Sequence, residues 1–182
     1  MKDLIRFRYF CLSLVFILAI GGCAGNPSSS MSNSKVSTHF AIVLVKGVKT
    51  NDAIKSKIEE LPLESQPIFT DKDLISYKWN QHELELRQDF RFNESFDKIP
   101  LDGLPFVIIA DNERVYLGAL WTPISSLAAS IPTIMIFPPA TQKNVIRIAA
   151  GYPSEETINI KSDPRSNQLI YNALKSVGKL KD

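Results

Sequence analysis

Few residues in this 182-residue sequence are of types that carry out chemistry. It contains two histidines, His39 and His82, and two cysteines, Cys11 and Cys23. A histidine-based hydrolytic or metal site would therefore have to use His39 or His82. His82-Glu83 begins like a zinc-binding helix, but no second histidine follows at the required spacing, and the alternation around it is typical of a strand. We therefore assign no catalytic residue, no metal ligand and no cofactor.

Serine and paired acids offer other routes to catalysis. Ser125 is followed by Ser126 in a loop, without a nearby lysine to activate it as in S-x-x-K enzymes. A turn built from Thr, Pro and Ser is the favoured interpretation. Paired carboxylates hydrolyse glycosides only when they face each other across a cleft. The spacing indicates no such cleft, so we interpret these acids as solvated surface charge: Glu59-Glu60, Glu83 with Glu85, and Glu155-Glu156.

Aromatic residues near strand ends give the clearest binding signal. Trp and Tyr combine an apolar face with a polar group, which suits partner contacts, although the same residues also cap hydrophobic cores. The segment from Leu120 to Ser126 is the best candidate, because loops on a rigid sheet often carry function. The candidate binding surface comprises Trp121, Thr122, Ser125, Tyr116 and Trp79.

The N-terminal residues follow a different pattern. Residues 1–8 carry three basic side chains, residues 9–20 are apolar apart from Ser13, and Gly21-Gly22 precede Cys23. A basic start, an apolar core of about a dozen residues and small residues at the end are typical of a secretory signal. A membrane-spanning helix, the less favoured interpretation, would need about 20 apolar residues.

The residues Ile20-Gly21-Gly22-Cys23 resemble the lipobox of bacterial lipoproteins. The resemblance implies that residues 1–22 are a cleaved signal peptide and that the Cys23 thiol carries a diacylglycerol. Cleavage would also remove Cys11, so the mature chain would contain no disulfide. In many Gram-negative lipoproteins an aspartate after the cysteine marks inner-membrane retention. Ala24 at this position therefore implies the outer membrane, facing the periplasm, if the host is Gram-negative.

The mature chain is expected to be electrically neutral. The full sequence has 21 Lys and Arg against 19 Asp and Glu, and loss of Lys2, Arg6, Arg8 and Asp3 leaves 18 of each. Neutrality argues against general nucleic-acid binding, which needs a basic face. Residues 25–38 are small and polar, which predicts that residues 23–38 are a lipidated cysteine and flexible tether. Residues 39–182 are predicted to form one globular domain.

Hydrophobic patterning predicts six strands in this domain, two of which form a hairpin through the turn Asp111-Asn112-Glu113. A helix capped by Asn51 is predicted over residues 52–61, a short one after Thr70–Asp73, and a last one beginning at Asp163-Pro164 and ending at Gly178. These elements predict a single α+β domain with a mostly antiparallel five- or six-stranded sheet and helices near both ends. The predicted strands cover residues 40–45, 82–87, 105–110, 114–120, 133–137 and 144–149.

Two body segments resemble stretches of uncharacterised bacterial lipoproteins. They are residues 105–126 and 163–180, together roughly 40 residues, and the resemblance implies no activity. We expect an envelope lipoprotein, bound to the membrane through its lipid, whose domain binds an envelope protein or a small ligand without catalysis. The alternatives are an envelope hydrolase acting on glycan, peptide or lipid, and a purely structural spacer.

The lipid anchor gives a first testable prediction. Cys23→Ser should move the protein from the membrane to the soluble fraction or leave an uncut precursor, because the acylated thiol would be missing. Fractionation followed by immunoblotting measures both outcomes. A mature-sized Cys23→Ser protein that stays with the membrane would show that the lipid on Cys23 is not the anchor.

Overall fold

Strands dominate the part of the chain that the structure describes. The structure, a computed structural model, describes residues 38–90, 92, 96, 98–137, 144–153 and 163–182. The strands within these residues are β1 (Phe40–Leu44), β2 (Phe69–Thr70), β3 (Leu74–Lys78), β4 (Glu83–Leu86), β5 (Leu104–Ala110), β6 (Glu113–Trp121), β7 (Thr133–Met135), β8 (Val145–Ala149) and β9 (Leu180–Lys181). The α-helices are α1 (Thr50–Ala53) and α2 (Gln168–Ser176).

The predicted five- or six-stranded, mostly antiparallel α+β fold is wrong. The nine strands of the described residues form one mixed sheet in the order β2-β1-β5-β6-β7-β8-β4-β3-β9. The β6–β7 and β3–β9 pairs are parallel, and the other neighbours are antiparallel. All six predicted strands are present, but β2, β3 and β9 were not predicted. Two of these contain only two residues each, which is too short for a hydrophobic pattern.

The missed strand β3 was predicted as a helix beginning at Thr70–Asp73. The Asp73 carboxylate accepts hydrogen bonds from the Thr70 backbone N–H at 2.9 Å and from the Thr70 hydroxyl at 3.1 Å, so it closes a turn between β2 and β3. The register against β4 shifts between Leu74 and Ser76. A β-bulge there disrupts the alternation by which a strand is recognised in sequence.

The predicted helix over residues 52–61 is also wrong. Only α1 and a separate 3-10 turn at Ile58–Glu60 are helical. Arg114 on β6 donates hydrogen bonds to the carbonyl groups of Ile58, Glu59 and Leu61 at 2.6–3.0 Å, which fixes the 3-10 turn to the sheet. The segment therefore covers the outer face of β5 and β6, where Ala53 and Leu61 pack on Val107.

The hairpin formed by β5 and β6 is confirmed. Asp111 and Asn112 connect the strands with positive φ values of 46° and 70°, as a tight two-residue turn requires. Gly118 of β6 lies under the Phe106 ring of β5, and a Cβ atom at Gly118 would overlap that ring. The hairpin is buried on both faces because Phe106, Ile108 and Ala110 face the main core while Val107 faces the segment described above.

The sheet curls until strands far apart in its order meet. Phe40 of β1 and Tyr77 of β3 pack edge to face with ring centroids 6.3 Å apart, although five strands separate β1 from β3 in the sheet. Their inner faces form the main core with α2, which contributes Ile170, Ala173 and Leu174. The core is therefore the interior of the curl.

The predicted C-terminal helix is confirmed with a later start. Asp163 caps a 3-10 turn at Pro164–Ser166, and Asn167 then caps α2 by accepting a hydrogen bond from the Leu169 N–H at 2.8 Å. Gly178 follows α2 with φ +68°, the conformation that ends a helix. The compact unit that holds all of these elements is Val36–Asp182. Among the described residues, no helix has the length and apolar character needed to cross a bilayer.

Candidate functional site

His82 lies in a buried polar cluster inside the curl, which we define as Tyr77, His82, Tyr116, Asp163 and Arg165. The backbone of His82 is left-handed, with φ 51° and ψ 41°, where a 3-10 turn joins β4. Its Nδ1 atom lies 3.0 Å from the Tyr77 hydroxyl. Residues other than glycine rarely adopt this conformation, and such backbone strain often accompanies function.

An ion pair forms the second half of the buried polar cluster. The Arg165 guanidinium donates from Nε and Nη2 to the Asp163 carboxylate at 2.7–3.1 Å, and from Nη1 to the Ile148 carbonyl at 2.8 Å. The two side chains are only 9% and 10% exposed. Burial alone would raise the pKa of the Asp163 carboxyl, but the hydrogen bonds and charge of Arg165 more than offset it and lower that pKa.

The two phenols of the buried polar cluster are held neutral. Burial raises the pKa of Tyr77 above its usual value, and the positive charge of Arg165 offsets only part of this effect. Burial likewise raises the pKa of Tyr116 well above its usual value. A phenol that resists ionisation is a poor nucleophile or base. The hydrogen bond between the Tyr77 hydroxyl and His82 at 3.0 Å satisfies polar groups inside the core.

A surface groove lies where β5 begins and β6 ends. Two loops form it, residues 98–103 and 122–127. Ile124 is 79% exposed, Leu101 is 53% exposed and the neighbouring Leu127 is 46% exposed. The groove encloses about 610 Å³, and we call its lining the loop patch: Lys98, Ile99, Pro100, Leu101, Thr122 and Ile124.

Buried residues hold the two loops of the loop patch together. The Ser125 hydroxyl donates to the Leu101 carbonyl at 2.5 Å and accepts from the Leu127 N–H at 3.1 Å. The Trp121 ring lies against Gly103, which has φ +77° and leaves no room for a Cβ atom. Because these contacts fix both loops from beneath, the exposed side chains are presented on a rigid base.

The structure separates the predicted binding residues and does not bring the five together. Trp121, Thr122 and Ser125 lie together beside the groove, but Trp121 is only 3% exposed and Ser125 is also buried. Tyr116 belongs to the buried polar cluster, and Trp79 packs against Tyr171 of α2 with ring centroids 5.1 Å apart. Trp121 and Ser125 therefore support the loop patch, while Thr122 alone of the five lines the groove.

Sequence reasoning chose the segment that contains Ile124 without singling out that residue, and it missed Leu101 and the loop around it. Ile124 follows Thr122-Pro123, and Leu101 lies between Pro100 and Asp102-Gly103. In both places one apolar residue sits among turn-forming residues, where no core element is expected. An isolated apolar residue among turn-forming residues was therefore the sequence signal for an exposed contact. The prediction relied instead on the large aromatic ring of Trp121, which is buried beneath the exposed residues.

The other described side chains that were considered for catalysis form separate pairs with neighbouring side chains. His39 pairs through Nδ1 with the Asp111 carboxylate at 2.7 Å on the surface. Glu83 pairs with Lys78 at 3.2 Å, and Glu85 accepts from the Ser76 hydroxyl at 2.8 Å. Glu155-Glu156 lies outside the described residues. Within the described part of the chain, no group of three or more His, Cys, Asp or Glu side chains is arranged to hold a metal ion.

Comparison with protein families, with curated protein sequences and with solved structures finds no match to this chain.

The buried ion pair gives a stability prediction. Arg165→Met should lower the free energy of unfolding by about 3–5 kcal/mol, because it leaves the Asp163 carboxylate buried without its partner. In the native protein, the stabilisation from the lowered pKa of Asp163 is present above about pH 4 and is lost as the pH falls further. The difference between the two proteins should therefore shrink as the pH falls below about 4, as urea unfolding would measure.

Arg87→Met is the matched control, because Arg87 forms the same kind of pair with Asp89 on the surface at 2.7 Å. An exposed pair contributes little to stability, so this variant should unfold like the native protein. Equal losses for Arg165→Met and Arg87→Met would contradict a structural role for the buried polar cluster.

Proposed function

We propose that this chain is a lipid-anchored envelope protein whose folded body binds a protein partner through the loop patch and catalyses no reaction. The observation that carries the proposal is the exposure of Ile124 and Leu101 on a rigid base. Apolar side chains that stay in water on a fixed surface favour association, because a partner that covers them gains the free energy of burial.

The groove has the composition of an interface centre. Among the residues that the structure describes, six line the groove, of which five are uncharged and the sixth is Lys98. Interface centres are depleted in charged residues, with polar groups around them. The contacts of Ser125 and Trp121 hold the two loops that present this surface, and an ordered surface lowers the entropy cost of association.

The buried polar cluster supports the part of the proposal that concerns catalysis, because its contacts are explained by a structural role. Its phenols stay neutral, and its carboxylate is paired with Arg165. These groups stabilise the interior, so the unusual backbone of His82 has an explanation in packing. The loop patch holds Ile124 and Leu101, which are the two most exposed large apolar side chains of the described residues.

Site-specific photo-cross-linking in the native cells tests the proposed function. A photoreactive amino acid at position 124 should give a discrete adduct with one protein, because this position lies at the centre of the proposed contact. The matched control is position 54, since Ile54 is 42% exposed and lies outside the groove. Position 54 should give no such adduct.

A second substitution makes the cross-link specific to the loop patch. Leu101→Asp places a charge in the groove without touching position 124, and it should remove the adduct while the protein remains folded. Circular dichroism checks the fold. No adduct at position 124, or an adduct that survives Leu101→Asp in the folded protein, would contradict the proposal that the loop patch binds a protein partner.

A further inference from the structure

Strand β1 is hydrogen-bonded along both of its edges. On the edge that faces β2, every second carbonyl group of β1 accepts a backbone N–H at 2.7–2.9 Å, and the acceptors are Phe40, Ile42 and Leu44. On the other edge, β1 and β5 are antiparallel over five residue pairs, from Phe40 opposite Ala110 to Leu44 opposite Phe106. A strand bonded on both edges leaves a sheet only when two sets of hydrogen bonds break.

The point where the chain enters β1 is joined to two turns at once. The Asp71 carboxylate, in the turn between β2 and β3, accepts from the N–H groups of His39 and Phe40 at 3.0 and 3.2 Å. The Asp111 N–H, in the turn between β5 and β6, donates to the His39 carbonyl at 2.9 Å. These contacts extend the bonding of β1 beyond its first residue.

Both faces of β1 are buried, so a neighbouring register is unfavourable. Successive side chains of a strand point to opposite faces, and Phe40, Ala41, Ile42 and Val43 are all buried. A slip by one residue would exchange the two faces, and the Phe40 ring would have to fit on the face where Ala41 packs. Sliding of β1 therefore breaks the existing contacts before a comparable set can form.

The loop patch lies at the far end of the strand that holds β1. β5 begins at Leu104, directly after residues 98–103, whereas Phe40 at the start of β1 lies opposite Ala110 at the end of β5. Because the two strands are antiparallel, a pull on the loop patch and a pull on the residues before β1 act at opposite ends of the β1–β5 pair. Such a pull runs along the strands and loads their hydrogen bonds together, in shear.

We propose that the folded body carries tension between its N-terminal attachment and a partner on the loop patch, and that β1 bears this load in shear. The inference rests on the proposed function, which supplies the two points of attachment. A pull on the N-terminal residues reaches the described body through the covalent chain at Thr38. Rupture under force depends on the barrier to unfolding, and bonds that must break together give a higher barrier than bonds that open one at a time.

Pulling single molecules in optical tweezers tests the direction of greatest strength. A clickable amino acid at positions 38 and 101 attaches the two DNA handles, so the protein purified in detergent keeps its own cysteines. Position 101 belongs to the loop patch, and its native side chain is exposed. The matched control has handles at positions 38 and 112, because Asn112 is exposed in the β5–β6 turn beside the Phe40–Ala110 pair. The control pull opens the β1–β5 pairs one after another.

The force that unfolds the protein should be several-fold higher for handles at positions 38 and 101 than for handles at positions 38 and 112, at the same loading rate. Equal forces, or a lower force for positions 38 and 101, would overturn the inference, because β1 would then not resist the load. The measurement uses no partner and no bilayer. Absence of the adduct at position 124 would instead contradict the proposed function, and the load would lose its second point of attachment even if β1 is strong.

Asp71→Ala tests the entry point of β1. The N–H groups of His39 and Phe40 lose their shared acceptor in this variant, so the force for positions 38 and 101 should fall measurably. Asp52→Ala is the matched control, because Asp52 is an exposed acid on α1, and it should leave the force unchanged. Equal forces for the two folded variants would contradict the assignment of the load to β1.

Discussion

The contact between Phe40 of β1 and Tyr77 of β3 closes the sheet around its core, and much of the structure depends on it. Closure places the Tyr77 hydroxyl inside the molecule, where a polar group without a partner is costly. His82 supplies that partner at 3.0 Å, and its left-handed backbone directs the chain from the β3–β4 connection into β4. The strained residue is therefore explained by the way in which the sheet closes.

The polar groups inside the curl and the exposed loops on the surface have different roles. Inside, Arg165 pairs with Asp163 and the Tyr77 hydroxyl pairs with His82, so the curl tolerates polar groups at its centre. Outside, two loops leave Ile124 and Leu101 in water. Full burial of one such side chain is worth about 1.5–3 kcal/mol, which is favourable free energy available to a partner. Trp121 and Ser125 keep the loops in place and so preserve that surface.

Sequence reasoning succeeded where one signal was strong and local. The apolar run of β1 and the Asp111-Asn112 turn of the β5–β6 hairpin both appear as predicted. It failed where tertiary contacts decide the structure. A bulge hides β3, and Arg114, distant in sequence, holds Ile58–Glu60 as a 3-10 turn where a longer helix was predicted.

The candidate site was predicted in part, for a similar reason. Composition located the loop after Trp121 but not the depth of each side chain. Aromatic size pointed to Trp121 and Tyr116, which are both buried, whereas Ile124 carries the exposed surface. Hydrogen exchange in whole envelopes, compared with the purified protein, tests most directly whether the loop patch is the functional surface. We expect slower exchange in envelopes at residues 98–103 and 122–127. Slower exchange at residues 79–82 and 163–168 instead would place the function at the buried polar cluster and contradict it.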